Sequence, residues 1–104
     1  MPIIPLRFSP DMERAVTTGK KCSTVRTERK GDVGDVFIIQ GRMYRICHVH
    51  RAALQSFRDG YYNADGFSSP AEFQEFWETH VGPFNPVQCC YIHLFAYMGD
   101  DSCQ

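Results

Sequence analysis

Residues 36–50, VFIIQGRMYRICHVH, constrain the fold more than any other stretch. Two runs rich in β-branched, aromatic and aliphatic residues flank the pair Gly41–Arg42, and such residues fit a pleated, half-buried strand surface. A two-residue connection between strands closes an antiparallel hairpin. A lone hairpin is only marginally stable in water, so other strands must join it. Three segments qualify: Ile3–Phe8, Ser23–Arg26 and the long run VQCCYIHLFAYM at Val87–Met98.

Two helices separate these strands. Ser9 before Pro10 signals the start of the first, because a serine hydroxyl accepts from an orphan amide and proline suits the first helical position. Asp11 and Glu13 complement the dipole at that end, and Gly19 stands ready to stop a helix through Met12, Ala15 and Val16. The second helix lies in SSPAEFQEFWETH, residues 68–80. Ser69 or Ser68 caps it, Pro70 opens it, and Glu72 follows Ser69 by three residues as in a capping box. Phe73, Phe76, Trp77 and His80 recur at i, i+3, i+4 and i+7, which puts them on one face. That aromatic stripe reads as core and not as a ligand platform. KGDVGD at 30–35 is a turn-rich loop, and residues 51–63 show no clear pattern beyond room for a helical turn near Ala52–Phe57. The expected fold is α+β and mostly β: a small antiparallel β-barrel with two main helices packed on it, a single domain over residues 1–104.

Apolar residues make up 43% of the chain, enough for a core, which excludes disorder. The five cysteines are an odd number without framework spacing. MPIIPLRFSP is too short and proline-broken for a secretory signal, and no apolar run approaches the ~20 residues of a membrane helix. The expectation is a soluble cytoplasmic protein with reduced thiols, no membrane contact and no obligate protein partner. The net charge of −1 hides a segregation. Residues 1–58 hold all eleven Lys and Arg against five acids, net +6; residues 59–104 hold seven acids and no Lys or Arg, net −7. Separate faces would give a basic surface that attracts phosphate and other anions; interleaved halves would pair their charges. The sequence is compatible with both.

At Thr17–Arg26, TTGKKCSTVR, the first helix hands over to a strand. Strand alternation sends Cys22, Thr24 and Arg26 to one side and Ser23 and Val25 to the other. With Val25 in the core, Thr24 and Arg26 face outward, where Lys21 can curl over Thr24. A hydroxyl, an ammonium and a guanidinium then share a pocket suited to an anion, a carbonyl oxygen or a nucleotide. Plainer readings stand beside this one. Thr24 can be an ordinary strand residue, and Lys20 and Lys21 a solvated helix end. Arg26 can pair with Glu28 or Asp65, and Asp65 can be a turn residue before Gly66.

GKKCSTVR fits the pattern G-x-K-x-x-T-x-R at Gly19, Lys21, Thr24 and Arg26. It follows a short strand and helix and precedes Gly34-Asp35-Val36, a turn leading into a strand. ADGFSSPAEFQEFWETH then supplies an acidic-Gly-Phe lead-in to the second helix. Together these features resemble the ASCH domain family, compact relatives of the PUA barrel, over about Phe8–Tyr97. The resemblance implies a cleft between barrel and helices and a role on RNA or nucleotides. Some small single-domain members are amidohydrolases that release the acyl group from N4-acetylcytidine with a Thr, a Lys and a Glu; another has been described as a ribonuclease. By motif, the threonine is Thr24 and the lysine is Lys21. The acid before the second helix is Asp65, where the family has a glutamate, one methylene longer. Three functions follow as expectations: an amidohydrolase on an acylated cytidine or related nucleoside, a non-catalytic RNA-binding module, and a ribonuclease.

The chemistry sets requirements. A threonine hydroxyl needs a base, and lysine serves only as the free amine. Its ordinary pKa of about 10.4 must therefore be lowered by burial or by a neighbouring cation such as Lys20 or Arg26. Arg26 or backbone amides after Gly19 can stabilise the oxyanion. Asp65 can position Lys21, or protonate the departing amine if its own pKa is raised. Tyr61 and Tyr62, in DGYYNADGF, can stack on a base if they reach the cleft rim. His48 and His50 share one side of a strand, but no metal-site spacing recurs. Neither metal nor cofactor is expected, and the partner is a nucleoside or RNA. Cys89 and Cys90 face opposite sides of a strand, with one of them directed to the core.

Overall fold

The structure, a computed structural model, describes residues 3–100; Cys103 lies outside them. In chain order the elements are α1 (Pro10–Thr17), β1 (Ser23–Arg26), β2 (Val36–Ile39), β3 (Arg42–Ala53), α2 (Leu54–Gly60), α3 (Pro70–His80) and β4 (Cys89–Asp100). The strands form one four-stranded antiparallel sheet in the order β1-β4-β3-β2. The hairpin β2–β3 runs from Val36↔Arg45 to Ile39↔Arg42. Its turn is Gln40–Gly41, one residue earlier than Gly41–Arg42. Both turn residues have positive φ, 52° and 76°, the combination whose twist matches the flanking strands. Pairing of β3 with β4 shifts register between Met43 and Tyr44 and again between Ile46 and His48. Such irregularities bend a strand and increase its twist, and the sheet curls into a half-barrel with β1 and β2 as its edges.

Both expected helix starts are present. Ser9 Oγ accepts from the Met12 N–H at 3.4 Å and Ser69 Oγ from the Glu72 N–H at 3.1 Å. The Glu72 carboxylate reaches back to the Ser68 N–H at 3.0 Å, so the two serines divide the capping box between them. Gly19, at φ 81°, turns the chain out of α1. Two expectations need correction. Ile3–Phe8 is not a strand: it contributes one parallel bridge, Ile3↔Val36, and a 2.8 Å bond from the Ile4 N–H to the Val36 carbonyl. Pro5 has no N–H with which to extend that ladder, and Leu6 is buried. The described residues hold three helices and not two, because α2 is a full element. It has no side-chain cap; what holds it is burial of Leu54 and Phe57, both with no exposed surface.

The sheet is covered on both faces. On one, Val25, Cys90 and Ile92 pack with Leu54 and Phe57 of α2 and Phe73 and Trp77 of α3. On the other, Phe37, Tyr44, Ile46 and Phe95 pack with Leu6 and with Val16 of α1. Phe37 stacks on Tyr44 at 5.5 Å and meets Phe95 edge-on at 5.0 Å. Cys90 is buried and Cys89 exposed; Cys22, Cys47, Cys89 and Cys90 are free thiols. No helix among the described residues is long and apolar enough to cross a membrane.

His93 on β4 has no exposed surface. Its Nε2 accepts from the Lys30 N–H at 2.9 Å, and its Nδ1 lies 3.2 Å from the Thr24 carbonyl oxygen. An accepting Nε2 fixes the neutral tautomer with the proton on Nδ1, which donates to Thr24. Burial holds the ring's pKa below the ordinary imidazole value; the Thr24 carbonyl opposes this, and the charges of Arg26, Arg29 and Lys30 add to it. Below about pH 6.5 the unfolded chain therefore binds more protons at this position than the folded one. Urea denaturation between pH 7.5 and pH 5 is expected to show stability falling with pH, and His93→Gln is expected to flatten that slope. An equal slope in both proteins would show that His93 is not its source.

Candidate active site

β1 is an edge strand, and its ladder to β4 fixes which way its peptide groups point. The Cys22 carbonyl accepts from the Phe95 N–H at 3.0 Å. By antiparallel alternation the peptide groups of Ser23 and Val25 face away from β4. The loop before α3 docks there: the Ala64 carbonyl accepts from both the Cys22 N–H, at 2.7 Å, and the Ser23 N–H, at 3.1 Å. Beyond that docking point a cavity of about 270 Å³ opens along Val25. Lys21, Thr24, Arg26, Asp65 and Phe67 line it, with Arg7 and Phe8 on one side and the α3 residues Phe73, Phe76, Trp77 and His80 on the other.

Lys21 is 4% exposed. Its Nζ donates to Asp65 Oδ1 and to the Asp65 carbonyl oxygen, both at 2.9 Å. Ser23 Oγ donates to the same carboxylate oxygen at 3.2 Å. The rings of Phe8 and Phe67 lie 5.9 and 6.0 Å from the ammonium. Gly66 explains how an aspartate reaches this far. It has φ 96°, and a Cβ there would lie 3.2 Å from Lys21 Cβ. The loop backbone thus comes against the lysine stem, and a short carboxylate spans the remaining gap. Burial outweighs mutual attraction for both partners. The pKa of Lys21 is lowered by burial, with Arg26 adding to the effect, and that of Asp65 is raised by burial against the pull of Lys21, Ser23 and Arg26.

Thr24 is also 4% exposed. Its Oγ1 accepts from Arg26 Nε at 2.9 Å, and Arg26 Nη2 donates to the Arg7 carbonyl at 2.7 Å. The guanidinium lies 5.1 Å from the Phe8 ring centre. No hydrogen bond joins Lys21 to Thr24; Lys21 turns to Asp65 instead of curling over the threonine. Alternation separates them, since Ser23 shares the Asp65 side while Thr24 shares the His93 side. Both still border one cavity, because it opens at the strand edge where the two sides meet. Arg26 makes no close ion pair among the described residues; the Asp65 carboxylate acts on it from a longer distance.

Other expected residues lie elsewhere. Lys20 is exposed and borders a separate groove between α1 and α3, with Glu72 and Glu75. Tyr61 packs edge-on to Phe57 at 6.0 Å and Tyr62 rests half-buried against the core; neither lines the cavity. The aromatic stripe of α3 does, so its reading as core alone is corrected: Phe73 and Trp77 are core and wall at once, and the Phe76 and His80 rings lie 4.3 Å apart at the cavity. His48 and His50 are exposed with rings 6.0 Å apart, and no group of three metal-ligating side chains occurs among the described residues. Ser23, Phe8 and His93 surround the site without belonging to the motif. For Ser23 the sequence does carry a signal, a hydroxyl on the buried side of a strand, which requires a polar partner.

No family model matches the chain, and no curated protein matches its sequence. Among solved structures it is similar to protein EF3133 from Enterococcus faecalis V583, described under the family DUF984, with a TM-score of 0.61 at 15% identity over 98% of this chain and 78% of that one. It is also similar to an ASCH domain from Lactobacillus crispatus JV V101, with a TM-score of 0.58 at 9% identity over 92% of this chain and 79% of that one. The fold is therefore ASCH-like.

Two stability measurements test the site's construction. Lys21→Met is expected to cost about 3 kcal/mol by stranding the buried carboxyl, and Lys21→Met combined with Asp65→Leu much less than the sum of the single changes. Additive losses in urea denaturation would show that the two groups are not coupled. Gly66→Ala forces a Cβ into left-handed backbone against Lys21 and is expected to lower stability by about 1–3 kcal/mol; a neutral result would mean the loop is free to withdraw.

Proposed function

We propose that this protein is an amidohydrolase acting on a nucleoside whose exocyclic amine carries a short acyl group, with N4-acetylcytidine as the test substrate. The observation that carries this reading is the desolvated Lys21–Asp65 pair on the wall of an aromatic cavity shared with Thr24. Buried ion pairs add little to stability, and positioning the loop before α3 does not by itself require that the two groups line a cavity. Catalysis does gain, since burial drives lysine towards a free amine and aspartate towards a proton donor. The cavity, about 270 Å³, falls just below the ~300–1,000 Å³ of typical small-molecule sites. That favours one ring system over a polynucleotide. Phe67, Phe76 and Trp77 supply faces for stacking.

The steps assign each group a role. Proton transfer within the pair turns Lys⁺/Asp⁻ into neutral amine and carboxylic acid without changing the proton count, so the pair titrates as a unit. Rotation of the lysine side chain brings Nζ to Thr24 Oγ1, where the amine takes the hydroxyl proton. Arg26 Nε, already donating to that oxygen, stabilises the alkoxide as it forms. Oγ1 attacks the acyl carbon, and the oxyanion meets Arg26 or the edge N–H of Val25. The carbon–nitrogen bond then breaks as Asp65 protonates the departing amine, leaving an acyl-threonine that water hydrolyses.

Acetate release from N4-acetylcytidine by purified protein tests the reading. Thr24→Ala and Lys21→Ala are each expected to lower kcat/KM by about 100-fold or more, and equal rates in all three proteins would remove both residues from the chemistry. The pH profile is expected to be bell-shaped, rising as the base loses its proton and falling as the acid does. No turnover, together with RNA binding that weakens steeply with salt, would favour a binding module.

A further inference from the structure

A second cavity adjoins the first. It measures about 320 Å³ and is bordered by Pro5, Leu6, Arg7, Arg26 and Lys30. Arg26 borders both cavities and so stands between them. Three cations face this space and no acid lines it. Elsewhere several cations have a carboxylate close by in sequence: Arg14 has Asp11, Arg29 has Asp32 at 2.7 Å and Arg58 has Asp59 at 2.8 Å. Lys30 has only a 3.7 Å contact with the exposed Glu28. Arg7 and Arg26 make no close ion pair among the described residues, and Asp65, which acts on Arg26 at longer range, lines the first cavity and not this one. Among the described residues, the ion pairs that join the basic first half to the acidic second half are Lys21–Asp65 and Arg58–Asp59, and neither involves Arg7 or Lys30.

Arg26 commits Nε–H to Thr24 and one Nη2 hydrogen to the Arg7 carbonyl. A guanidinium has five N–H donors, so three remain, on a group already oriented by two bonds and by the Phe8 ring. An oriented guanidinium flanked by a second arginine and a lysine is the arrangement that recognises phosphate. Resting on the nucleoside reading of the first cavity, we propose that the second cavity is a phosphate subsite. Arg7, Arg26 and Lys30 would hold the ribose phosphate of a nucleotide whose base lies against the α3 aromatics. The preferred substrate is then an acylated mononucleotide and not the free nucleoside.

The test compares kcat/KM for N4-acetylcytidine with that for its 5′- and 3′-monophosphates at low salt. At least one phosphate is expected to raise kcat/KM about tenfold or more, the effect of one charge-assisted hydrogen bond. That ratio is expected to fall towards one in Arg7→Ala, in Lys30→Ala and with rising salt. A ratio at or below one in the unaltered protein, or a ratio the variants do not change, would overturn the subsite while leaving the amidohydrolase reading intact. If no substrate turns over, calorimetric titration with cytidine and its monophosphates decides the subsite separately. Tighter binding of a monophosphate that Arg7→Ala and Lys30→Ala abolish supports it, and equal or absent binding overturns it. A short single-stranded RNA that displaces the monophosphate at lower concentration than unlabelled monophosphate does would assign the cations to a polymer and overturn the mononucleotide form.

Discussion

The neutralisation of Lys21 by Asp65 is the interaction on which the architecture around the cavity depends. The two residues are 44 positions apart, and each is almost fully withdrawn from water. Neither charge would be tolerable there alone. Their meeting requires the loop before α3 to lie against β1, and the backbone complies. The Ala64 carbonyl takes the amides of Cys22 and Ser23, while the Asp65 and Phe67 amides bond the carbonyls of Tyr61 and Tyr62. Tyr61 and Tyr62 thus serve the site through their peptide groups, which hold the loop that carries the acid. Gly66 permits the last approach, and Phe67 covers the pair. Stability gains little from the ion pair itself; what the pair fixes is the position of α3 relative to the sheet edge.

An edge strand explains why the site lies here. An interior strand has both rows of peptide groups committed, so its two faces never meet in one cavity. β1 has a partner only in β4, and the loop covers only the beginning of its free edge. From Val25 onward the edge borders the cavity, with Lys21 and Asp65 lining it from one face and Thr24 and Arg26 from the other. α3 then closes the space with the same aromatic residues that seal the core. Core packing and cavity wall are not alternatives for Phe73 and Trp77, since a ring has two faces and an edge, and different parts of it meet different neighbours.

Local chemistry made much of this legible. Ser9-Pro10 and Ser69-Pro70 set their helix starts because capping acts over three or four residues. The hairpin and the short strand STVR followed from side-chain pattern, and the grouping of Lys21, Thr24, Arg26 and Asp65 followed from a motif. What stayed hidden depended on distant partners. α2 carries no cap and exists because Leu54 and Phe57 find a core supplied by other elements. Ile3–Phe8 is apolar enough for a strand, yet Pro5 limits its pairing to the start. That Asp65 positions Lys21 was legible, but that Lys21 thereby turns away from Thr24 depended on the depth of the Gly66 approach, which no spacing within residues 17–26 contains.

The relation between Thr24 and the cationic cavity is set by a group that the motif does not include. The His93 ring bonds the Thr24 carbonyl with one nitrogen and the Lys30 amide with the other. An imidazole is rigid, so the distance between those two backbone points is fixed by the ring itself. From the opposite side, the planar guanidinium of Arg26 spans Thr24 Oγ1 and the Arg7 carbonyl. Thr24 is therefore tied to Lys30 by one flat group and to Arg7 by another, each free of soft torsions between its two bonded ends. A hydroxyl placed by its own rotamer alone would drift relative to the charges around it. Two rigid tethers remove that freedom before any ligand arrives, so less ordering remains to be done on binding.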